Sequence, residues 1–333
     1  MLLGAARDLT LVFLGIELMS VAVFVLAGLD RRRPGSAEAA LKYFLLGAFS
    51  TAFMVYGMAL LYGATGTTQL GAIAEAIRQR DLAGDPLLVA GTALLFVGFA
   101  FKVAAVPFHM WAPDVYQGAP TPYTAFMAAA VKVAAFAALA RISTEALGPA
   151  FVSWYPVVWS LAAITMIAGN VLALVQTSVK RTLADLEGLA SVRPGLAAAM
   201  TVFMLSFLGF PLAGGMGFFA KWYVLRAAME APGPLVRLAL LLVLASVVSA
   251  GYYLGVVRAM YMKPRAADAP AIGGVPRLTG AVVAVAAVLT LALGLWPSPV
   301  IRWARGAQLA GAYEIPAAGP GTTGAVAATP SAP

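Results

Sequence analysis

Glu17, Lys102, Lys132 and Lys221 each stand inside a long apolar run of the sequence. A charge at mid-bilayer costs ~2.5–3.5 kcal/mol on insertion scales, so such residues face a bundle interior or a hydrated path. Proton handling is the chemistry these types can do. Burial disfavours the charged form of an acid or an amine, and an opposite charge nearby favours it. A Glu–Lys pair near midplane is therefore a two-setting device. Close together, the lysine keeps its proton; apart, it can release it. The same charges could instead form a static ion pair between helices, or reach to the interface along their apolar stems. Lys221, nearer the end of its run, fits that plainer reading best. His109 is the only histidine. It could relay protons, since its ordinary titration range permits it, or it could hydrogen-bond a broken helix end, which is the preferred reading.

The elements that hold these residues must be helices, and two of them must break. Residues 96–132 start as an apolar helix with Lys102 in its middle, then meet Pro107 and His109. Proline removes a backbone donor and clashes with the preceding turn, so a kink or break is expected there. Pro113, Gly118, Pro120 and Pro122 then make a stiff link before a second apolar helix that carries Lys132. A matching interruption falls at Pro211 with Gly214, Gly215 and Gly217, just before Lys221. Paired broken helices are how transporters built from inverted repeats place a site between two halves, and a break recruits water or polar partners.

Composition fits only one class. Of 333 residues 62% are hydrophobic and 11% charged, with a mean hydropathy of +0.88. An all-α, polytopic membrane bundle in a lipid bilayer is expected. The absence of cysteine excludes disulfides, thiol-ligated iron–sulfur clusters and a cysteine nucleophile in this chain. The formal charge of +8 is mostly arginine near helix ends, where it sets topology and meets anionic lipid. No basic patch interleaved with stacking aromatics supports nucleic-acid binding.

In chain order no cleavable leader is expected. Eight spans are expected, at about 9–29, 41–63, 87–110, 121–140, 152–178, 195–225, 236–262 and 278–296, with no sheet. Ser36 reads as an N-cap for the second span. Residues 64–86 read as a loop with one short amphipathic helix, 182–194 as a short polar piece, and 312–333 as a disordered tail after a transmembrane unit of residues 1–311. With the Arg31–Arg33 cluster placed in the cytoplasm, basic residues are modestly more frequent on that side, and both termini fall on the other.

The stretch FKVAAVPFHMWAPDVYQGAPTPYTAF resembles the broken helix and following link of the antiporter-like subunits of respiratory complex I, the proton-pumping NADH:quinone oxidoreductase. FLGIELMS, AEAALKYFLLGAFSTAFMVYG, GNVLALVQTSVKR, LSFLGFP and GFFAKWYV support it, and the similarity covers nearly all of residues 8–263. The wording PDVYQGAP resembles one of the three antiporter-like subunits more than the other two. The resemblance implies two inverted five-helix repeats, each forming a half-channel for protons. It matches Glu17 to the family's buried glutamate, Lys102 to the broken-helix lysine, Lys132 to the lysine of the next helix and Lys221 to that of the second broken helix. It implies other complex I subunits as partners, a cell inner membrane location, and no NADH, flavin, metal or cluster bound by this chain. Against the family pattern, about four N-terminal helices are not present. About two more are absent where SVKRTLA runs straight into DLEGLASVRP. Three functions follow from these readings: a proton-translocating subunit of the oxidoreductase, a subunit of a cation/proton antiporter or membrane-bound hydrogenase of the same fold, or a structural membrane module that does not conduct.

Overall fold

The computed structural model describes residues 2–175, 178–179, 181–182, 186–210, 215–231, 235–265 and 276–306. The chain is a bundle of α-helices. The long helices of the first half are α1 (Leu9–Ala27), α2 (Pro34–Thr65) and, after the short amphipathic α3 (Leu70–Arg80), α4 (Pro86–Val103). A short helix, α5 (Trp111–Gly118), leads to α6 (Thr121–Ala146) and α7 (Phe151–Val175). The second half comprises α8 (Pro194–Leu208), α9 (Met216–Glu230), α10 (Leu235–Met262), α11 (Arg277–Leu295) and α12 (Ser298–Gly306).

Among the described residues seven helices are long and apolar enough to cross a membrane, not the eight expected. The difference is the 195–225 run. It forms two shorter helices, α8 and α9, because Gly209 takes a left-handed conformation (φ +75°) and closes α8. Pro211 and Gly214 lie outside the described residues, as does the expected tail at 312–333. A second correction concerns the sheet. Ser178–Val179 (β1) and Arg181–Thr182 (β2) form a minimal antiparallel pair. It arises because α7 stops at Val175, so the chain between α7 and α8 pairs with itself.

Helix starts follow local chemistry. The Asp8 carboxylate caps α1 by accepting from the Thr10 amide at 2.8 Å, and it accepts from Thr68 Oγ1 at 2.6 Å. Burial alone would raise the Asp8 carboxyl, but these hydrogen bonds outweigh it and hold it below the usual carboxylate range. The start of α1 is thereby tied to the start of α3. α2 begins at Pro34, seven residues before the expected span. Proline at the first helical position is pre-organised for the helix and needs no partner for a missing N–H. Ser36 is consequently inside α2 and not its cap; its hydroxyl donates to the Ala27 carbonyl at 2.6 Å, closing the end of α1.

The packed centre lies in the first half, around α4. Its most apolar window is 56% buried, against 6% for the α7 span. Leu95, Phe96 and Phe99 of α4 pack with Val12 and Ile16 of α1, Met54 and Leu61 of α2, and Ile142 of α6. Glycines permit the closest approach. A Cβ on Gly57 of α2 would stand 2.6 Å from the Leu95 nitrogen and 2.7 Å from the Gly91 carbonyl of α4. Small residues at a membrane helix crossing let backbones meet in this way. Gly57→Ala is expected to destabilise the bundle by roughly 1–3 kcal/mol through overpacking against backbone that cannot yield. Thermal unfolding of the purified protein in detergent checks this, and an unchanged transition would rule out a close-packed crossing.

Candidate proton-handling site

α4 ends earlier than the proline suggests. Its last residue is Val103, and Ala104 takes the left-handed conformation at φ +59°. Val106, before Pro107, is steered away from helical geometry, and Pro107 has no N–H to continue the ladder. Lys102 therefore sits in the last turn of α4, not mid-helix. There its charge meets the negative end of the helix dipole.

Lys102 is 2% exposed and its Nζ donates to Ser20 Oγ at 2.7 Å. Ser20 lies on α1, is itself 2% exposed, and donates its own proton to the Ile16 carbonyl. One turn earlier on α1 stands Glu17, half-buried, whose Oε1 accepts from Thr51 Oγ1 of α2 at 2.8 Å. Glu17 and Lys102 form no ion pair within 4 Å among the described residues, yet the carboxylate acts on the lysine through space. The phenyl rings of Phe24 and Phe101 lie 5.8 and 6.0 Å from Lys102 Nζ. An amine held by one hydroxyl, with a carboxylate in reach but not in contact, is a charge whose state depends on where its neighbour stands.

The break after α4 is closed by groups that the sequence reading did not single out. The Trp111 indole Nε1 donates to the Phe101 carbonyl at 3.0 Å, and Thr165 Oγ1 of α7 accepts from the Val106 amide at 3.0 Å. The helix-end bond expected of His109 is thus supplied by Trp111, because α5 turns its first residue back under α4. His109 contributes its carbonyl, which accepts from the Ala112 amide at 2.9 Å. Its Nδ1 is buried without a hydrogen-bond partner among the described residues.

Lys132 follows directly on a π-helical turn, Met127–Val131, within α6. Such turns widen one helical step and recur at functional sites. Lys132 is half-buried, with Nζ 5.8 Å from the centroid of the Tyr116 ring on α5. A second π-turn, Ile142–Ala146, holds Glu145 against Arg141 at 3.3 Å, with only 14% and 10% of the arginine and glutamate side chains exposed. Lys221 is elsewhere. On α9, its Nζ donates to the Leu208 carbonyl at 2.7 Å and so caps α8.

Lys102 and Lys132 belong to one neighbourhood, lined by Phe24, Tyr43, Phe101, Trp111 and Met127. Glu17 stands one turn from Ser20 on α1 and bonds to Thr51 of α2; Lys221 lies outside this neighbourhood. α5 is fixed in that neighbourhood by Tyr43 stacked on Trp111 at 4.6 Å and by the Lys42–Asp114 ion pair at 2.8 Å. No group of three or more His, Asp and Glu able to hold a metal ion occurs among the described residues. Ser20, Thr51 and Trp111 are the site residues that sequence reasoning missed. Ser20 had one signal, its position three residues after Glu17, which puts both on one helix face.

The chain as a whole is similar to known proteins. The chain is 49% identical to NADH-quinone oxidoreductase subunit N of Gemmatimonas aurantiaca, over 92% of this chain and 69% of that protein. It is 39% identical to the subunit N of Trichlorobacter lovleyi, over 92% and 73%. A chain of respiratory complex I from Thermus thermophilus, solved with bound aureothin, superposes with a TM-score of 0.77 at 35% identity, over 90% of this chain and 76% of that one. The Gemmatimonas alignment runs over 363 positions, more than the 333 residues present here, so the relative carries residues inside the aligned stretch that this chain lacks. The family described as NADH:quinone oxidoreductase/Mrp antiporter, TM, matches residues 6–186 and again 181–250, with the two pieces meeting where the sequence reading placed the internal shortening. A multi-pass bundle with a lysine beside each of its two helix interruptions, matched over most of its length, belongs to the NADH:quinone oxidoreductase/Mrp antiporter transmembrane family.

Proposed function

We propose that the chain is a proton-translocating membrane subunit of a complex I-type NADH:quinone oxidoreductase. It packs against the other membrane subunits of that complex, in the cell inner membrane. Quinone reduction takes place elsewhere in the assembly, and this chain carries no cofactor of its own. The observation that carries the reading is Lys102: buried, held by Ser20, and within electrostatic reach of a Glu17 that is bonded to Thr51 instead. A carboxylate free to move between Thr51 and the lysine sets whether the amine keeps or releases its proton. Lys132 receives the proton further along, beyond the aromatic link. Residues 1–311 form the transmembrane unit, with α8 and α9 together making the eighth crossing, and both termini lie on the non-cytoplasmic side, which the Arg31–Arg33 cluster supports.

Glu17→Gln is the test of this reading. It keeps the Thr51 hydrogen bond and removes the charge. NADH-driven proton pumping in membranes holding the assembled complex is expected to fall by about a hundredfold or more, the usual weight of a proton-handling group. Pumping at the unsubstituted rate would remove Glu17 from the mechanism. A second reading, a module that does not conduct, is favoured by one observation: Lys221 is committed to capping α8. In that case Glu17→Gln and Lys102→Ala would both pump normally in an intact complex.

A further inference from the structure

Beside Lys132 lies a phenol whose ring is packed but whose hydroxyl is not bonded among the described residues. We propose that Tyr116 is the group that passes the proton from the Lys102 side to Lys132. The proposal rests on the proton-translocating reading above. The Tyr116 hydroxyl is buried and has no hydrogen-bond partner among the described residues. Leaving a buried hydroxyl unpaired costs about 1–3 kcal/mol, a cost suited to a group that exchanges hydrogen-bond partners as a proton passes. Phenylalanine would fill the same space without that cost.

The position specifies the use. Lys132 Nζ stands 5.8 Å from the Tyr116 ring centroid. On its other side Tyr116 meets Trp111 edge to face, with centroids 5.7 Å apart. Trp111 stacks on Tyr43, whose ring meets Phe24 edge-on at 4.8 Å, and Phe24 lies 5.8 Å from Lys102 Nζ. The wall between the lysines is thus aromatic, and among its rings only the two phenols can both accept and donate a hydrogen bond; the indole donates only. Trp111 Nε1 is in any case committed to the Phe101 carbonyl.

The step balances with water as the bridge between the amines and the phenol. Water accepts the proton released by the Lys102 ammonium and passes one to the Tyr116 oxygen, while the proton that oxygen already holds leaves to the neutral Lys132 amine. One O–H bond forms as another breaks, Lys132 becomes an ammonium, and Tyr116 ends as it began after its hydroxyl rotates. The amine follows directly on the π-turn and lies 5.8 Å from the centroid of the Tyr116 ring of α5.

The experiment compares Tyr116→Phe with Lys102→Ala in membranes holding the assembled complex, reading protons moved per NADH oxidised. Tyr116→Phe keeps the ring and its packing, and is expected to lose pumping to the level of Lys102→Ala. Normal pumping by Tyr116→Phe beside a dead Lys102→Ala overturns the Tyr116 assignment and leaves the proposed function standing. Normal pumping by Lys102→Ala removes both. If Tyr116→Phe fails to assemble, a fluorinated tyrosine at 116 decides, since it keeps the shape and makes the phenol more acidic. A change in pumping rate of about tenfold then supports the relay, and an unchanged rate overturns it.

Discussion

Lys102→Ala in the assembled oxidoreductase is expected to abolish proton pumping while the complex remains intact on native gels. The side chain is buried and its hydrogen-bond partner is Ser20, which still bonds to Ile16 after truncation. The cavity costs stability, but truncation also removes a buried amine, and on the proposed function the loss of the proton donor is the larger effect. Lys102→Arg is the sharper variant. Arginine keeps the charge and the bond to Ser20 but cannot release its proton at usable pH. If the residue carries protons, Arg should fail as completely as Ala, with pumping down by about a hundredfold or more. If Lys102→Arg pumps normally, the residue is a fixed charge that only biases its surroundings.

The second large effect is expected at Trp111, and it is one of stability. The indole fills the space between Tyr43, Phe101 and Tyr116, is 2% exposed, and supplies the hydrogen bond that closes α4. Trp111→Ala should cost about 3–5 kcal/mol through the cavity alone, and it also leaves the Phe101 carbonyl unpaired. The purified complex should lose this subunit or unfold well below the temperature of the parent. Trp111→Phe separates the two terms, since it restores most of the volume and not the bond. A Trp111→Ala complex as stable as the parent would mean that the break in α4 is held by something other than α5.

The charges were legible in the sequence and the small groups around them were not. Glu17, Lys102, Lys132 and Lys221 announce themselves because a charge in an apolar run has a known penalty. Ser20 and Thr51 carry no such signal, since hydroxyls within membrane helices commonly bond their own backbone, as Ser20 also does here. The break after α4 was expected at Pro107 and comes at Ala104, because a proline disturbs the residues before it as well as its own position. The left-handed alanine was unreadable, since that conformation ordinarily belongs to glycine. The π-turns were equally hidden: MAAAV and ISTEA have the composition of any helix. Ser36 misled because Ser before an apolar run looks like a cap, whereas Pro34 had already started the helix.

α2 spans 32 residues, which is about 48 Å at 1.5 Å per residue, against roughly 30 Å of hydrocarbon in a typical bilayer. Its neighbour α1, with 19 residues, matches the bilayer with almost nothing to spare. The excess length of α2 has to tilt or stand clear of the lipid, and its first turns are the polar end. Glu38 and Lys42 lie there, with Lys42 bridging to Asp114 of α5 and every partner at least 44% exposed. Exposed in this way, the triad suits the headgroup layer and contributes little to stability. Because Lys42 joins α2 to α5, bilayer thickness, through the tilt of α2, becomes a setting for the helix that carries Trp111 and Tyr116.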